Sequence, residues 1–514
     1  MTLNPDIEHP EWGPFGRPLF NDPSSRALSR VGVVDVGSNS VRLVVFDGAA
    51  RSPAYFYNEK IMCALGAGLS ETGRLNPEGR LRALSALRRF RHLADGMDLP
   101  PLSVVATAAV RDADDGAEFC AEVLRETGLK IWVIDGEEEA RLSAQGVLLG
   151  WPGAYGLISD IGGSSMELAE ISGGTVGRRV TSPLGPLKLQ DIAGGQRGRR
   201  AHIKTVVEDL AARMGPQRDR LFLVGGSWRA IARLDMTRRG YPLKVLHEYR
   251  MTSQSVRETA RYIEAGDLNA LRNEAGISSA RMALVPYAID VLSQLARTFK
   301  PKDIAISSYG IREGLLYEQM PQRLRDRDPL IEACYFAEAK DARMPGFGKT
   351  LFRFVLPLFP QAQNPQLRLI KAACLLHDVS WRAHPDYRAE VCFDLATRAN
   401  MGGMKHSERV FLGLALQHRY RNKREGTRFE PMYGLLDEKM QKQAEILGKA
   451  MRFGAMFLMK PDADMGTLTW QPKRHRLDLS LPQEARPLYG EVAQARLMSL
   501  AQSLGAEATV TIRS

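Results

Sequence analysis

The chain has 514 residues, of which 44% are hydrophobic and 25% charged, and its formal net charge at pH 7 is +11. That length exceeds what one hydrophobic core usually supports, so we expect about three domains. No segment approaches the roughly 18 uninterrupted apolar residues of a membrane helix, which predicts a protein with no membrane partner. The five cysteines lack C-x-x-C spacing and indicate free thiols in a reducing cytoplasm.

The excess positive charge is concentrated in local clusters, three of which lie at 197–200, 238–239 and 419–424. Each cluster alone is typical of a solvated surface, whereas together they favour a polyanionic partner. The sequence contains no zinc-finger, RNA-recognition or interleaved aromatic–basic pattern, which argues against nucleic acid as that partner. The composition therefore favours polyphosphate or the phosphate chain of a nucleotide.

Taken in chain order, the sequence falls into four segments. Residues 1–29 hold five prolines and no apolar core, which predicts a disordered or extended N-terminal segment rather than a secretory signal. Residues 30–150 alternate short apolar runs with helical patterns, including a long amphipathic helix over 75–99. A second region of this kind spans 151–323, and helical patterns dominate 324–514. We therefore predict two α/β domains followed by an all-helical one.

One pattern occurs in both predicted α/β domains. Residues 31–40 read as a buried strand that ends near Asp35, followed by a turn of small residues and a second strand. Residues 156–165 repeat this pattern around Asp160. Glycine permits close backbone approach, and consecutive N–H groups in such a turn form an anion-binding concavity. The two copies predict a cleft that binds a phosphate group from both sides.

Four apolar strands end in turns of this kind, at Asp35, Asp160, Val224 and Ile306. Ligands of α/β sheets collect at the carboxyl ends of strands, so the four turns favour one shared site. For Asp35 and Asp160 we favour metal or phosphate–water chemistry. The alternative interpretation is that each carboxylate only caps its own turn.

Three acids at 137–139 open a predicted helix, where the positive end of the helix dipole favours them. A carboxylate crowded by other carboxylates and by phosphate has a raised proton affinity, which suits a general base near neutral pH. Arg111 follows another strand end. It offers a bidentate fork to phosphate oxygens in one interpretation and pairs with a surface acid in the other.

As an ordered set, these segments resemble the exopolyphosphatase/guanosine pentaphosphate phosphatase family. That family belongs to the superfamily of actin, sugar kinases and heat-shock chaperone ATPases. The similarity covers about 31–320, and its most specific segment is Ser-Tyr-Gly-Ile-Arg-Glu-Gly at 308–314. The resemblance implies an α/β fold in which two ribonuclease-H-like domains, as in actin-like ATPases, flank the active-site cleft.

The resemblance also implies roles for individual residues. Glu139, the acid directly before Ala-Arg, matches the catalytic base of the family. Asp160 and Glu167 match residues that position the attacking water and a divalent metal, Mg²⁺ or alternatively Mn²⁺, and we add Asp35 to this metal set. The predicted phosphate-binding residues are Ser38, Asn39, Ser40, Arg111, Gly162, Gly163, Ser164, Ser165, Gly226 and Ser227.

The second loop departs from the usual family pattern Asp-x-Gly-Gly-Gly-Ser-Thr-Glu. Ser164 replaces the third glycine and Met166 replaces the threonine, while Ser227-Trp228 stands where smaller residues are usual. Ser164 still offers its N–H but adopts fewer backbone conformations than glycine. Met166 removes a hydroxyl that would bond phosphate or water. We expect these changes to affect rate and substrate preference more than the presence of activity.

The C-terminal segment contains Leu-Leu-His-Asp at 375–378, which resembles HD-type phosphohydrolases. Those enzymes need an additional upstream histidine, and no histidine occurs between His247 and His377. We therefore predict an all-α, HD-like domain that is non-catalytic and extends the basic path. Residues 346–350 resemble the end of a nucleotide P-loop, but Arg343 stands where that motif requires glycine.

These observations predict a cytoplasmic exopolyphosphatase that releases orthophosphate from the end of inorganic polyphosphate. Guanosine pentaphosphate is the alternative substrate and would use the same cleft. A sensor that binds either ligand without hydrolysis is a third hypothesis, supported by Ser164 and Met166 alone. The fold also permits kinase or chaperone activity, which Glu139 and the 308–314 segment disfavour. The resemblance further implies a homodimer.

Overall fold

The structure is a computed structural model that describes residues 27–28, 30–215, 219–457, 460–462 and 464–513. Of the predicted N-terminal segment 1–29, only Ala27 and Leu28 are described, so the expectation of disorder lies outside the described residues. Contacts between Cα atoms divide the chain into two compact units, which meet in sequence at Arg327 and Asp328. The domain boundaries expected at 150 and 323 stay predictions.

The first unit contains two sheets of similar plan. The strands of the first sheet are β1 (Val31–Val36), β2 (Ser40–Ala49), β3 (Ser52–Met62), β4 (Ser103–Ala106) and β5 (Ile131–Val133). Their order is β3-β2-β1-β4-β5, with β1, β2 and β3 antiparallel and β4 and β5 parallel to β1. The central strand β1 is rich in valine and almost wholly buried, as expected of a strand covered on both faces.

The second sheet consists of β6 (Gly156–Ile161), β7 (Met166–Ser172), β8 (Thr175–Ser182), β9 (Arg220–Val224), β10 (Arg250–Met251) and β11 (Asp303–Ile306). Their order is β10-β11-β9-β6-β7-β8. Here β6 takes the part of β1, since it pairs antiparallel with the next strand and parallel with a later one. The repeated sequence pattern is therefore a repeated strand arrangement.

Helices surround both sheets and begin where the sequence supplies caps. Asn76 accepts a hydrogen bond from the Gly79 N–H at 2.8 Å and precedes Pro77, which accounts for the start of the long helix predicted over 75–99. The helices of the first unit are α1 (Leu69–Thr72), α2 (Pro77–Gly96), α3 (Ala108–Asp112), α4 (Gly116–Thr127), α5 (Gly136–Gly150), α6 (Pro186–Gln190), α7 (Gly195–Met214), α8 (Gly226–Arg238), α9 (Ser253–Ala265), α10 (Leu268–Ala275), α11 (Ser279–Met282), α12 (Val285–Phe299), α13 (Ile311–Glu318) and α14 (Gln322–Arg325).

The helices α5 and α13 cross between the two sheets and join them through one core. Buried side chains of both sheets and both helices pack in this core, among them Phe46, Leu148, Phe222, Leu315 and Leu316. The crossing depends on two glycines. A Cβ on Gly146 would lie 2.2 Å from the Gly310 carbonyl oxygen, and one on Gly314 would lie 1.8 Å from the Leu142 carbonyl oxygen. The helix that carries Glu139 is thus held by direct backbone contact.

The second unit is helical for most of its length and ends in a small sheet. Its helices are α15 (Pro329–Asp341), α16 (Phe347–Val355), α17 (Asn364–Leu376), α18 (Arg388–Arg398), α19 (His406–Tyr420), α20 (Glu430–Tyr433), α21 (Glu438–Gly454) and α22 (Glu491–Leu504). Short 3-10 helices lie at Leu356–Leu358, Pro385–Tyr387, Ala455–Phe457, Pro472–Arg474 and Gln483–Leu488. The strands are β12 (Thr467–Gln471), β13 (Arg476–Pro482) and β14 (Glu507–Arg513).

The prediction of an all-α C-terminal domain is wrong for this small sheet. Its order is β12-β13-β14, and α22 forms the crossover between the parallel strands β13 and β14. In β13 buried and partly exposed residues alternate with the period of two that a one-sided strand requires. We missed this signal because β14 is largely exposed and lacks an apolar run.

The α/β class and the predominantly helical C-terminal region are confirmed. Within the described ranges, none of the helices has the length and apolar character needed to cross a lipid bilayer.

Candidate active site

A cavity of about 510 Å³ in the first unit collects most of the predicted site residues. Its walls come from the carboxyl ends of β1, β6 and β9 and from the start of α13, as expected for an α/β sheet. The predicted residues that line it are Asp35, Ser38, Asn39, Ser40, Glu139, Asp160, Gly162, Gly163, Ser165 and Gly226. Four others do not line it, namely Arg111, Ser164, Glu167 and Ser227.

The two turns of the repeat have the same backbone geometry. The Gly37 N–H donates to the Ser40 carbonyl at 3.1 Å, and in the second turn the Gly162 N–H donates to the Ser165 carbonyl at 3.0 Å. The tips face each other, because a Cβ on Gly163 would lie 3.4 Å from the Ser38 Cβ. The two predicted phosphate loops thus meet across one cavity.

Backbone donors remain at both tips. The amides of Ser38 and Asn39 in the first turn, and of Gly163 and Ser164 in the second, donate to no atom of the described residues. Ser164 does not have a positive φ, so this position does not require the glycine that the family pattern places there. The two turns can therefore offer N–H groups to one anion from opposite sides.

The substituted Met166 lies away from the cavity. Its side chain is fully buried and packs in the hydrophobic core of the second sheet with Leu168 and Leu184. The family pattern places a threonine here, and Met166 puts an apolar side chain into the core instead of a hydroxyl. Because Met166 does not line the cavity, this substitution leaves the cavity wall unchanged.

Glu139 is the buried carboxylate at the centre of the site. Its side chain is held on the first turn of α5, where Asp135 caps the helix by accepting from the Glu138 N–H at 2.8 Å. The residue is only 5% exposed, and its Oε2 has no hydrogen-bond partner among the described residues. Burial and the charges of Glu167 and Asp160 raise the pKa of Glu139 well above its usual range.

Asp160 and Glu167 face each other as cross-strand partners on β6 and β7. Asp160 accepts a hydrogen bond from the Ser143 hydroxyl, one turn beyond Glu139 on α5. Glu167 accepts from the Thr181 hydroxyl at 3.0 Å, and its Oε2 has no partner among the described residues. Burial and the charge of Asp160 raise the pKa of Glu167 to about 8. The three carboxylates therefore form one electrostatic group.

The chemistry of these donors fits the divalent metal that the resemblance implies. Two buried carboxylate oxygens, Glu139 Oε2 and Glu167 Oε2, accept no hydrogen bond from the described residues, and hard cations such as Mg²⁺ take oxygen ligands. Across the described ranges, no three His, Cys, Asp or Glu side chains converge into a preformed metal centre. This agrees with the habit of Mg²⁺ to bind one or two carboxylates and to take its other ligands from substrate phosphates.

Arg111 lies behind the cavity wall. Its Nε donates to Asp112 at 3.0 Å, its Nη1 donates to the Ile134 carbonyl at 3.1 Å, and the same Nη1 lies 3.8 Å from Glu139 Oε2. Its charge opposes the rise in the pKa of Glu139. The contact with Glu139 supports a positioning role, and the phosphate-binding role stays a prediction.

Several cations in the cavity were not singled out from the sequence. Arg42, Lys60, Arg229, Arg233, Arg281 and Arg312 all line it. Arg312 belongs to the 308–314 segment, but the sequence patterns assign no role to this residue. The positions of Arg42 and Lys60 could have been predicted, because side chains alternate along a strand and pairing places these two on the same face of the sheet as Asp35. Nothing in the sequence around Arg229, Arg233 or Arg281 indicated that their side chains reach this cavity.

Arginines from two of the basic clusters seen in the sequence form local ion pairs. Arg199 and Arg200 donate to the two oxygens of Asp290 at 2.8 Å each, and Arg238 donates to Asp235 at 2.8 Å. These arginines stabilise the fold of the first unit and do not contribute free charge to the cavity.

The HD-like pair of the second unit is occupied by protein groups. Arg343 donates to both oxygens of Asp378, at 2.6 Å through Nη2 and at 3.0 Å through Nε. The His377 Nδ1–H donates to the Cys374 carbonyl at 2.8 Å. Burial and the charge of Arg419 lower the pKa of His377 to about 4. Arg343 thus binds the Asp378 carboxylate, which in an HD enzyme would be a metal ligand.

The P-loop-like segment at 346–350 also binds a group of the protein itself. The Gly348 N–H donates to the carboxylate of Glu338 at 2.7 Å. A protein carboxylate therefore takes the position that a nucleotide phosphate occupies in a true P-loop, in agreement with the sequence argument.

Comparison with known proteins identifies the class of protein that this fold and site define. Residues 44–323 match the model of the Ppx/GppA phosphatase family, and residues 356–511 match the model described as exopolyphosphatase, C-terminal. The first match covers more than half of the chain. The chain belongs to the Ppx/GppA phosphatase family.

The chain is also similar to individual proteins and solved structures. Retrograde regulation protein 2 of Saccharomyces cerevisiae is 25% identical over 448 residues, which cover 78% of this chain and 74% of the yeast protein. The solved Ppx/GppA family member from Aquifex aeolicus is 22% identical with a TM-score of 0.51 and covers 57% of this chain and 98% of its own. An exopolyphosphatase from Cytophaga hutchinsonii is 23% identical with a TM-score of 0.52 and has the same coverage. The two structures confirm the fold of that part of the chain.

Proposed function

We propose that this chain hydrolyses the terminal phosphoanhydride bond of inorganic polyphosphate and releases orthophosphate. The observation that carries the proposal is the position of Glu139. Its Oε2 accepts no hydrogen bond from the described residues and is buried in a cavity whose walls present two anion-binding turns. A base beside a phosphate cradle is the minimum that water attack on phosphorus requires.

In this mechanism Glu139 Oε2 accepts a proton from a water molecule as the water oxygen bonds to the terminal phosphorus. The bridging P–O bond breaks, and the shortened chain leaves with the bridging oxygen. The crowding by Glu167 and Asp160 that raises the pKa of Glu139 also makes it a stronger base. The 3.8 Å contact with Arg111 orients the carboxylate.

The backbone N–H groups of the two turns and the buried Arg312 stabilise charge on the terminal phosphate oxygens. Asp160 and Glu167 are the side chains that would hold Mg²⁺, with Asp35 nearby on β1. When bound, the ion would neutralise charge on the phosphate and on these carboxylates.

The charge of the cavity supports polyphosphate as the substrate. Six cationic side chains line it against three acidic ones. None of the described residues that line it is aromatic, so they offer no ring on which a purine base would stack. A chain of phosphates fits such a wall better than a nucleoside does.

The test is phosphate release from long-chain polyphosphate in the presence of Mg²⁺, with Glu139→Gln beside the native protein. We expect Glu139→Gln to lower kcat by about 10²- to 10⁴-fold, the usual contribution of a general base. The matched control is Glu137→Gln, because Glu137 lies in the same helical turn but is exposed. Full retention of kcat by a folded Glu139→Gln protein would contradict the proposal. Faster turnover of guanosine pentaphosphate would instead make the nucleotide the substrate.

A second candidate is a sensor that binds the same ligands without turnover. The observation that favours it is the name of the yeast relative, which describes a regulator. The structural support from the loop substitutions is weak, because Met166 lies in the core and Ser164 does not need the conformation of glycine. Tight binding of polyphosphate with no phosphate release under either Mg²⁺ or Mn²⁺ would establish the sensor.

A further inference from the structure

Three arginines of the second unit lie together where helices α19, α21 and α22 pack. The backbones of α19 and α21 are in contact beside Arg419, because a Cβ on Gly448 would lie 2.3 Å from the His418 Cβ. Arg452 lies one turn beyond Gly448 on α21, and Arg496 on α22 donates to the Arg452 carbonyl at 3.4 Å. Each of the three helices thus contributes one cation to the same place.

Arg419 is a buried cation that has no hydrogen-bond acceptor among the described residues. It is 8% exposed, and its Nε is fully buried and donates to no described atom. Its Cζ lies 4.8 Å from the centre of the Tyr420 ring, whose hydroxyl donates to the His377 carbonyl at 3.0 Å. A guanidinium carries five N–H donors, so its burial without acceptors is costly.

Arg409, on the same helix, shows how this fold satisfies a buried arginine that has a structural role. Its guanidinium donates to the carbonyls of Thr397, Ala399 and Met401 at 3.3, 2.9 and 2.7 Å. Arg419 lacks any such set of carbonyls. The burial of its charge therefore has no equivalent structural explanation.

The other two cations have neutral partners. Arg452 donates to the Asn422 side-chain oxygen at 2.6 Å, and Arg496 donates to the Arg452 carbonyl and to the Met456 sulfur. Among the described residues, none of the three guanidinium groups forms an ion pair with a carboxylate. The cluster therefore holds three positive charges without a counter-charge in direct contact.

The electrostatics show that this arrangement is unfavourable in the protein alone. Burial and the charge of Arg419 lower the pKa of Arg452, and burial and the charge of Arg452 lower the pKa of Arg496. Asp378 acts on Arg419 from a distance, but Arg343 already binds this carboxylate at 2.6 Å. A multiply charged anion would offset the repulsion between the three cations.

His377 adds a hydrogen-bond acceptor near these cations. Its Nδ1–H donates to the Cys374 carbonyl, so its Nε2 carries a lone pair, and this buried atom has no partner among the described residues. After burial, the charge of Arg419 has the largest effect on the pKa of His377. A hydrogen phosphate ion offers oxygens to guanidinium groups and one O–H to such a nitrogen, whereas sulfate carries no proton near neutral pH.

We propose that Arg419, Arg452, Arg496 and the Nε2 of His377 bind one free orthophosphate ion within the second unit. The phosphate oxygens accept hydrogen bonds from the guanidinium groups, and the phosphate O–H donates to Nε2. The ion enters past Arg452 and Arg496, which are partly exposed. The inference goes beyond the proposed function, because the site uses residues of the second unit alone and takes no part in the reaction at Glu139.

Equilibrium dialysis of the full chain against labelled orthophosphate measures the site directly. We expect Arg419→Met to bind one phosphate fewer per chain than the native protein, while any phosphate held by the first unit is common to both. Hydrogen exchange locates the difference, since orthophosphate should protect the amides of α19, α21 and α22 in the native protein and not in Arg419→Met. The control is Arg398→Met, which removes an exposed charge of the same unit and should leave both readouts unchanged.

Thermal unfolding in phosphate-free buffer separates a binding role of Arg419 from a structural one. Arg419→Met removes a buried charge that lacks a partner, so we expect it not to lower Tm. Arg409→Met removes three hydrogen bonds to carbonyls and should lower Tm by several degrees. An equal drop in Tm for the two variants would make Arg419 a structural cation and overturn the proposal.

The remaining outcomes decide the identity of the ligand. Undiminished phosphate binding by Arg419→Met, or an equal loss in Arg398→Met, would overturn the proposal. Equal protection of the three helices by sulfate would contradict the assignment to orthophosphate, since sulfate cannot donate to His377. Protection by long-chain polyphosphate but not by orthophosphate would also overturn it, because the occupant would then be a chain and not a single ion.

Discussion

At the scale of single residues, the cavity has an acidic side with Glu139 and a basic side with Lys60. Burial and the neighbouring carboxylates raise the pKa of Glu139, and partial burial and the neighbouring guanidinium groups lower the pKa of Lys60. A phosphate chain with its metal ion would offset the crowded carboxylates at one end and the crowded cations at the other. Clusters of perturbed groups in a cavity are typical of functional sites.

The lowered pKa of Lys60 predicts a specific pH dependence of KM. Partial burial, followed by the charges of Arg281, Arg42, Arg229 and Arg312, lowers the pKa of Lys60 to about 8, below that of an ordinary lysine. Below pH 8 Lys60 is protonated and attracts phosphate, and above pH 8 that attraction is lost. We expect KM for long-chain polyphosphate to rise several-fold between pH 7 and pH 9. Lys60→Arg should flatten this rise, and an unchanged profile would contradict a contribution of the Lys60 charge to phosphate binding.

A site residue can be predicted from the sequence when the pattern that marks it lies in neighbouring residues. Asp35, Asp160 and the two turns share a repeated pattern, and Glu139 was found through the family resemblance. Arg229 and Arg281 were missed because they reach the cavity only through the packing of α8 and α11, which no local pattern encodes.

At the scale of elements, the crossing of α5 and α13 holds the site together. Glu139 and Ser143 both lie on α5, and Arg312 lies on the first turn of α13. The two backbones are in contact at Gly146 and Gly314, where any side chain would clash. These two glycines therefore fix how closely Glu139 approaches the 308–314 segment.

Gly314→Ala should therefore affect both stability and activity. Its Cβ would lie 1.8 Å from the Leu142 carbonyl oxygen, which forces the helices apart. We expect a loss of about 1–3 kcal/mol in the free energy of unfolding measured in urea, together with a lower kcat. Gly96→Ala is the matched control, because Gly96 ends α2 with open space around the added Cβ. Equal effects of the two substitutions would show that the crossing is not tightly packed.

The element predictions succeeded where apolar runs are long and bounded by turns. Both hairpins of the repeat and helix α2 have such runs. The sheet β12-β13-β14 was missed because its outer strand is exposed and because the pairing of β13 with β14 joins segments separated by a helix. Nonlocal pairing of this kind leaves little trace in the sequence.

At the scale of the whole molecule, the first unit contains every part that the proposed reaction requires. The repeat places one anion-binding turn on each sheet, and the shared core brings the two turns together. The base is supplied by neither copy of the repeat, since Glu139 lies on the helix between them. In the second unit, Asp378 of the HD-like pair accepts hydrogen bonds from Arg343, and Gly348 of the P-loop-like segment donates to Glu338. That the second unit is non-catalytic stays a prediction.

The most direct test of the central claim is phosphate release from long-chain polyphosphate in water enriched in a heavy oxygen isotope. If Glu139 activates water, each orthophosphate released by the native protein with Mg²⁺ carries one labelled oxygen, and Glu139→Gln releases orthophosphate at least about 10²-fold more slowly. Release of unlabelled phosphate, or an undiminished rate from Glu139→Gln, would contradict the account.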